Sequence, residues 1–539
     1  MGNWRMAVDY VVVGAGSSGA VIASRLSEDP KVSVTLIEAG GRDWSPMIHV
    51  PAGSGELIRK GSFGWKYNTQ GEPGLDMRSL FWPRGKVLGG SSSINGQVYV
   101  RGHPSDFDIW AQRGNRGWSF DEVLHYFKKS EGHLERDDDL HGLTGPLKIT
   151  RGSMPNPLFE AFVRAGEQAG FSGTDDFNGP QQEGFGRFDF TSANGRRQST
   201  AEAFLRPARK RPNLRVVTDA HVTGVEIENG RAVGVIARTR GKAQRFEAAR
   251  EVILAAGVIG SPHLLLLSGI GPAEQLRAHG VTVAADLPGV GRNLQDHVQI
   301  PFMYGCSQPI TLHQLIRLDR AALGMLQAMM LKSGPFSQFP VQGGAFTRSR
   351  PELEVPDTQW HFGIGLGVRR VRLPFARRAG PLDRDGYMLA PCLLRPESRG
   401  TIALASSDPQ DNPLIHANYL SEDNDRAFFR RTFRQARALA LQPAFDPYRE
   451  VELLPGPDVQ TEDEVDDFVR QNLSTCHHQV GTCKMGPEPD AVVDDRLRVK
   501  GVGGLRVADA SIMPTIVGGN TNAAAIMIGE KAADLTKAG

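Results

Sequence analysis

Cysteine is scarce. Four residues in 539, Cys306, Cys392, Cys476 and Cys483, cannot staple a chain this long, which excludes a disulfide scaffold and favours a reducing compartment. Net charge is also nearly absent: 62 Lys and Arg against 60 Asp and Glu leave +2. Without a basic surplus, nucleic acid is not an expected partner. Long apolar runs are missing too. "AAGVIG" and "HLLLLSGIG" end well short of the roughly 20 residues a membrane-spanning helix needs. The first residues pass almost directly into a strand, with none of the charged and apolar regions of a secretory signal. These absences predict a cytoplasmic protein with no transmembrane helix, and no internal repeat is visible. What the chain does have is length. Beyond roughly 250–300 residues a single core stops growing, so at least two lobes are expected, with room for a cleft.

The first readable unit spans Asp9–Glu38. "DYVVV" reads as a buried strand, "GAGSSG" as a turn, "AVIASRLSE" as a helix and "VSVTLIE" as a second strand, together a βαβ unit with a parallel pair. Gly14, Gly16 and Gly19 fit G-x-G-x-x-G and Glu38 ends the second strand. Glycines there allow a tight turn and close approach to a pyrophosphate. The helix N-terminus favours the phosphate charge, and the carboxylate accepts from a ribose hydroxyl. Dinucleotide binding is therefore expected.

Two glycine- and serine-rich stretches adjoin apolar segments, residues 82–102 and 255–272; such backbone packs closely against a ring or a phosphate, or forms plain turns. Residues 157–171 read as an amphipathic helix, and 215–239 as strands joined by an "NG" hairpin turn. The region from about 307 to 470 carries no nucleotide-type signal and reads as a second lobe interrupting the first. The chain closes with a strand, a turn and an apolar helix beginning near Asn522.

Together these stretches resemble the glucose–methanol–choline (GMC) family of FAD-dependent oxidoreductases. The resemblance rests on "VVVGAGSSG" with Glu38, "GKVLGGSSSIN", "GSPHLLLLSGIG", "GVGRNLQDH", "HQVGTCKMG" and "RVADASIMPTIVGGNTNAAAIMIGEKAADL", in order over almost the whole chain. It is strongest toward bacterial choline dehydrogenase-like alcohol dehydrogenases. It implies an α/β fold with an α+β second lobe: a Rossmann-like FAD-binding domain from segments 1–155, 199–306 and 470–539, and a substrate domain from 156–198 and 307–469 whose antiparallel sheet roofs the flavin.

The cofactor residues follow by resemblance. Gly14, Gly16, Ser17, Ser18 and Gly19 would hold the pyrophosphate, with Glu38 and Ala39 at the adenosine ribose and Val222 at the adenine side. Arg84, Gly85, Val87, Gly89, Gly90, Ser91, Asn95, Gly96 and Val98 would lie along pyrophosphate and flavin. Ala256, Gly257, Asp509, Ala510, Asn520 and Thr521 would complete the cradle. Some relatives attach FAD covalently through a histidine just before the signature asparagine; Ile94 stands there, so the FAD is expected to be non-covalent.

The resemblance also assigns the chemistry. His478, separated by Gln479 and Val480 from Gly481–Thr482, matches the family's catalytic base, and Asn522, opening the last helix, matches its partner. The chemistry suits them: oxidising an alcohol removes a hydroxyl proton and a hydride from one carbon. A histidine with an unperturbed pKa of about 6.5 can take the proton, and an asparagine amide can donate to the developing alkoxide. On an extended segment neighbouring side chains alternate, so His477 is expected to face away from the flavin. Familiar relatives show "YHPVGT" where this chain has "HHQVGT", which directs attention to His477 and Gln479 for substrate choice. Cys476, His477, His478 and Cys483 lack the usual spacing of zinc ligands, and no metal is expected; nor is a Cys476–Cys483 redox pair.

The expected function is FAD-dependent oxidation of a primary alcohol to an aldehyde. The alternatives are a choline dehydrogenase, an oxygen-using alcohol oxidase and a non-redox FAD-containing hydroxynitrile lyase. Choline is the weaker substrate, since "DHVQIPFMYGCSQ" carries no carboxylate for a quaternary ammonium. The partners are a small alcohol and an electron acceptor, whether a quinone, another carrier or oxygen. Peripheral contact with the inner face of the cell membrane, and a homo-oligomer, stay open. The arginines at 369, 370, 372, 377 and 378 read as a solvated loop before a cavity mouth or headgroup contact, and the Leu- and Met-rich stretch 312–334 as core packing before a membrane contact.

Overall fold

The computed structural model describes residues 7–367, 371–373 and 380–539; of the arginine-rich stretch, Arg369, Arg370, Arg377 and Arg378 lie outside them. Strand β1, Val8–Val13, is apolar at nearly every position because it runs through the centre of a sheet covered on both faces. It pairs in parallel with β2, Val34–Ile37, on one side and with Lys242–Leu254 on the other. The connecting helix α1, Ser17–Leu26, completes the expected βαβ unit. Leu214–Val217 extends the sheet beyond β2, and Leu505–Val507 adds a parallel strand beside Lys242–Leu254. The long Lys242–Leu254 strand also continues into an antiparallel meander with Arg231–Thr239 and Ala220–Glu228. Its hairpin turns at Asn229 and Gly230, with φ of 50° and 74°, the pair of positive values that "NG" predicts. The closing helix Asn522–Lys537 packs on α1, where Ser18 Oγ donates to the Ala525 carbonyl at 2.7 Å.

The second sheet is antiparallel and has eight strands. Its path runs Arg449–Leu454, Phe302–Cys306, Gly386–Leu393, Thr358–Gly363, Gly343–Thr347 and Gly184–Arg187, with Val298–Gln299 and Ser474–Thr475 joined alongside. Phe302–Cys306, Val298–Gln299 and Ser474–Thr475 come from segments expected in the first lobe, so strands from the margins of both lobes knit the sheet. Trp360 and Phe362 point to the face packed on Phe159, Phe162 and Phe445 beneath the helices. Gln359 and His361, alternating with them, point to the other face.

Core packing is not what the 312–334 stretch does. It forms Leu312–Leu315 and Leu318–Leu331, and the second helix turns the small Ala321, Gly324 and Ala328 inward. Leu323, Leu326 and Met330 stand 67, 58 and 71% exposed. No helix among the described residues is long and apolar enough to cross a membrane.

Candidate active site

A deep cleft opens at the carboxyl end of β1. Gly14 takes φ +97°, and a Cβ there would lie 2.4 Å from the Ala255 carbonyl oxygen; one on Gly19 would lie 1.9 Å from that of Gly14. Only glycine fits either position. A Cβ on Gly90 would meet Gly16 Cα at 2.6 Å, so the first signature lies directly on the dinucleotide turn. Glu38 is buried and accepts from the backbone N–H groups of Ala15 and Gly40, each at 2.9 Å. Burial pushes its pKa up to about 7, against those two hydrogen bonds. The glycine turn, the start of α1 and this carboxylate fit FAD, with pyrophosphate at the turn and ribose hydroxyls at Glu38.

Most expected cofactor residues line this cleft: Gly14, Gly16, Ser17, Ser18, Glu38, Ala39, Arg84, Gly85, Gly90, Ser91, Val222, Ala256, Gly257, Asp509 and Ala510. Gly19, Val87, Gly89, Asn95, Gly96, Val98, Asn520 and Thr521 are not among its lining residues. Several have support roles instead: Gly19 lets α1 approach β1, and Asn95 Oδ1 accepts from Arg197 at 2.7 Å. Trp65, Tyr67 and His221 also line the cleft, with Trp65 packed against both neighbours at ring separations of 5.8 and 5.2 Å. Sequence reasoning missed this wall, whose only signal was the aromatic "WKY" run before the first signature.

His478 is held by a strap between two family motifs. Cys476 N–H donates to the His297 carbonyl, Val480 N–H to that of Gln295, and His478 N–H to Asp296 Oδ1, each at 2.9 Å. Asp296 Oδ2 accepts from Thr475 and Tyr419 hydroxyls at 2.6 Å and from Gln479 at 3.0 Å. Burial raises the Asp296 pKa to about 6, opposed by these hydroxyl donors. The His478 ring reaches His297 through Nδ1, at 3.0 Å, and Asn520 through Nε2, at 3.0 Å. Burial holds its pKa well below the ordinary value, and the His297, His361 and His477 rings and Arg84 act in the same direction.

The asparagine within hydrogen-bond distance of His478 is Asn520, not the Asn522 expected as its partner. Asn522 Oδ1 instead accepts from Ser17 Oγ at 2.7 Å, tying the closing helix to the start of α1. His477 is not on an extended segment: its φ is +63°, so strand alternation does not govern it. Its carbonyl accepts from Arg84 at 2.9 Å. Gln479 is buried between Arg84, Asp296 and Thr475 and acts as a brace for the strap.

Above the pair lies the polar face of the second sheet. Gln359 Nε2 donates to Asn520 Oδ1 at 3.0 Å, and His361 Nδ1 lies 2.9 Å from Gln299 Oε1. Cys392, opposite both Gln359 and Gln299 in register, places its Sγ 3.3 Å from that of Cys476; Cys476 thus adjoins Cys392. Sequence reasoning missed His297, Gln299, Gln359 and His361, although "NLQDH" was in view.

One further cluster groups Glu131, His133 and His141 at metal-ligand distances. His141 donates to Glu131 at 2.6 Å and Asp176 at 2.9 Å. Burial pulls its pKa down, but these two bonds push it up to about 9. Arg101 pairs with Glu131, and Arg136 lies 3.3 Å from Asp189. Its carboxylates are already met by cations, which makes it an internal ionic network.

Two family profiles, both described as GMC oxidoreductase, match residues 8–299 and 396–529. The oxygen-dependent choline dehydrogenase of Brucella ovis is 46% identical over 531 residues, 98% of this chain and 95% of its own. That of Rhizobium rhizogenes is 45% identical with the same coverage. Among solved structures, pyridoxine 4-oxidase from Mesorbium loti is 34% identical, with a TM-score of 0.88 over 98% of each chain. A formate oxidase from Aspergillus oryzae is 28% identical, with a TM-score of 0.91 over 99% of this chain and 98% of its own.

Proposed function

Because the chain belongs to the GMC oxidoreductase family, it is an FAD-dependent alcohol oxidoreductase, and we propose that His478 is its base and Asn520 its alkoxide donor. The observation that carries this reading is their contact, His478 Nε2 to Asn520 Nδ2 at 3.0 Å, beside the FAD cleft. A carbinol oxygen within reach of both atoms gives its proton to Nε2 while its developing charge is met by the amide N–H. Bound FAD supplies the acceptor for the hydride leaving the same carbon. Burial keeps His478 neutral before reaction, so its lone pair is available at pH 7. A primary alcohol is the substrate and an aldehyde the product.

Choline oxidation has the support of the 45–46% identical choline dehydrogenases. The polar sheet face argues for an uncharged alcohol instead, because Gln299, Gln359 and His361 offer amides and an imidazole whose pKa burial pulls down to about 4. The exposed Leu323, Leu326 and Met330 support a peripheral membrane contact, and with it a lipid-soluble quinone as acceptor.

The test is anaerobic mixing of the flavoprotein with choline, pyridoxine and benzyl alcohol. At least one uncharged alcohol should bleach the yellow flavin, faster than choline does. A flavin left oxidised by every alcohol would sink the redox reading, and bleaching by choline alone would reverse the substrate assignment. Repeating the turnover with oxygen or a soluble quinone then identifies the acceptor.

A further inference from the structure

The hydrogen bonds behind His478 determine which of its nitrogens is bare. His297 is fully buried, with Nε2 3.0 Å from the Leu394 carbonyl oxygen. A carbonyl only accepts, so His297 Nε2 carries the hydrogen. Burial holds this imidazole neutral, its pKa pulled down to about 3, and a neutral ring has one N–H. His297 Nδ1 is therefore a bare acceptor. His478 Nδ1, 3.0 Å away, must supply the hydrogen between them. Since His478 is neutral as well, its Nε2 is bare and accepts from Asn520 Nδ2, whose Oδ1 accepts from Gln359 Nε2.

All four bonds thus donate in one direction, from Gln359 through Asn520, His478 and His297 to a carbonyl that can only receive. We infer that His297 is a positioning residue that locks His478 in the tautomer with an unprotonated Nε2, whose one lone pair accepts from Asn520 Nδ2 here and from the alcohol O–H once that oxygen enters between them. The inference rests on His478 being the base. In the opposite tautomer Nε2 would carry a hydrogen and could take no proton, while two lone pairs would face each other at Nδ1 in a buried place. The lock also serves the protonated ring. When Nε2 gains the alcohol proton, Nδ1–H keeps its acceptor, and no second group has to move.

Two substitutions separate hydrogen bonding from packing. His297→Leu fills space but cannot accept, whereas the amide oxygen of His297→Asn occupies the place of Nδ1. In anaerobic stopped-flow experiments, with whichever of benzyl alcohol, choline or pyridoxine reduces the flavin fastest, His297→Leu should slow reduction about 100-fold, within the range of a general-base contribution. Half-saturation should stay within about threefold, and His297→Asn should recover to within about tenfold of the unmodified enzyme. In ¹⁵N spectra of histidine-labelled holoenzyme, with His478 assigned by loss of its signals in His478→Gln, Nδ1 should be protonated and Nε2 bare. The reverse pattern in the unmodified protein, or His297→Leu at full speed, overturns the lock. So do Asn and Leu variants that are equally slow. If His478→Ala itself reduces at full speed, the base assignment fails; if His478→Ala is dead and His297→Leu is fast, only the lock fails.

Discussion

Asn520 Nδ2 lies 3.0 Å from His478 Nε2, while the carboxamide oxygen of Asn522, two residues on, accepts from Ser17 Oγ. Asn520 precedes the cap residue Thr521 and lies outside the helix that Asn522 opens, so the two side chains leave the backbone from different conformations and meet different partners. The two asparagines of "GNTN" therefore divide the work. One lies against the proposed base His478, and the other pins the closing helix to the start of α1.

That division is testable by parallel alanine substitutions. Asn520→Ala should slow flavin reduction about 100-fold or more, the usual loss of one oxyanion donor, with little change in bound FAD. Asn522→Ala should lower the FAD content or the melting temperature while the residual holoenzyme reduces within about threefold of normal. Stopped-flow reduction and flavin-to-protein ratio read the two effects separately. The opposite pattern would return the partner's role to Asn522.

Much of the fold was legible because it depends on local backbone rules. Gly14, Gly16 and Gly19 announce a turn that a Cβ would block, and "NG" announces a hairpin needing two positive φ values. The helix opens at Asn522 as read, but the asparagine that meets His478 lies two residues before it, in irregular backbone whose side-chain directions no periodicity announces. His477 defied the alternation rule through its single left-handed backbone angle. Gln299, Gln359 and His361 were hidden for another reason: period-two patterning says that two faces differ, but not which face a cofactor will lie beneath. The Leu318–Leu331 helix was misjudged because its small residues, and not its large ones, make the inward stripe.

The glycine turn predicts an all-or-none response. A Cβ on Gly19 would lie 1.9 Å from the Gly14 carbonyl oxygen, which is backbone and cannot swing aside. Gly19→Ala should push α1 away from β1 and displace the phosphate-binding N–H groups. The purified variant should carry less than about a tenth of the normal flavin. Full flavin content would show that the turn does not carry the pyrophosphate.

Ile94 is buried beside the first signature, packed with Ile48, Leu57 and Val87. An isoleucine offers no nucleophilic atom at the position where some relatives carry the attachment histidine. Acid precipitation should therefore leave all the yellow colour in the supernatant. Flavin remaining with the pellet would reveal a bond to some other side chain.

The buried imidazoles also predict how stability changes with pH. Burial pulls His297 down to about 3, and His361 and His477 down to about 4. In the unfolded chain the same groups titrate near 6.5. Above that pH they are neutral in both states and contribute nothing to the slope. As pH falls from about 6.5 toward 4 the unfolded chain takes up protons that the fold refuses, and each group costs about 1.4 kcal/mol per pH unit across that window. Glu38 and Asp296 work the other way, since burial raises them to about 7 and 6; between the unfolded carboxylate pKa and those values the fold holds the extra proton, so acidification favours it. Three histidines outweigh two carboxyls, with His478 adding to their side. The melting temperature of the holoenzyme should therefore drop by several degrees between pH 7 and pH 5, and His361→Gln, which cannot titrate, should flatten the decline. A melting temperature that holds or rises over that interval would mean that these rings take up protons within the fold.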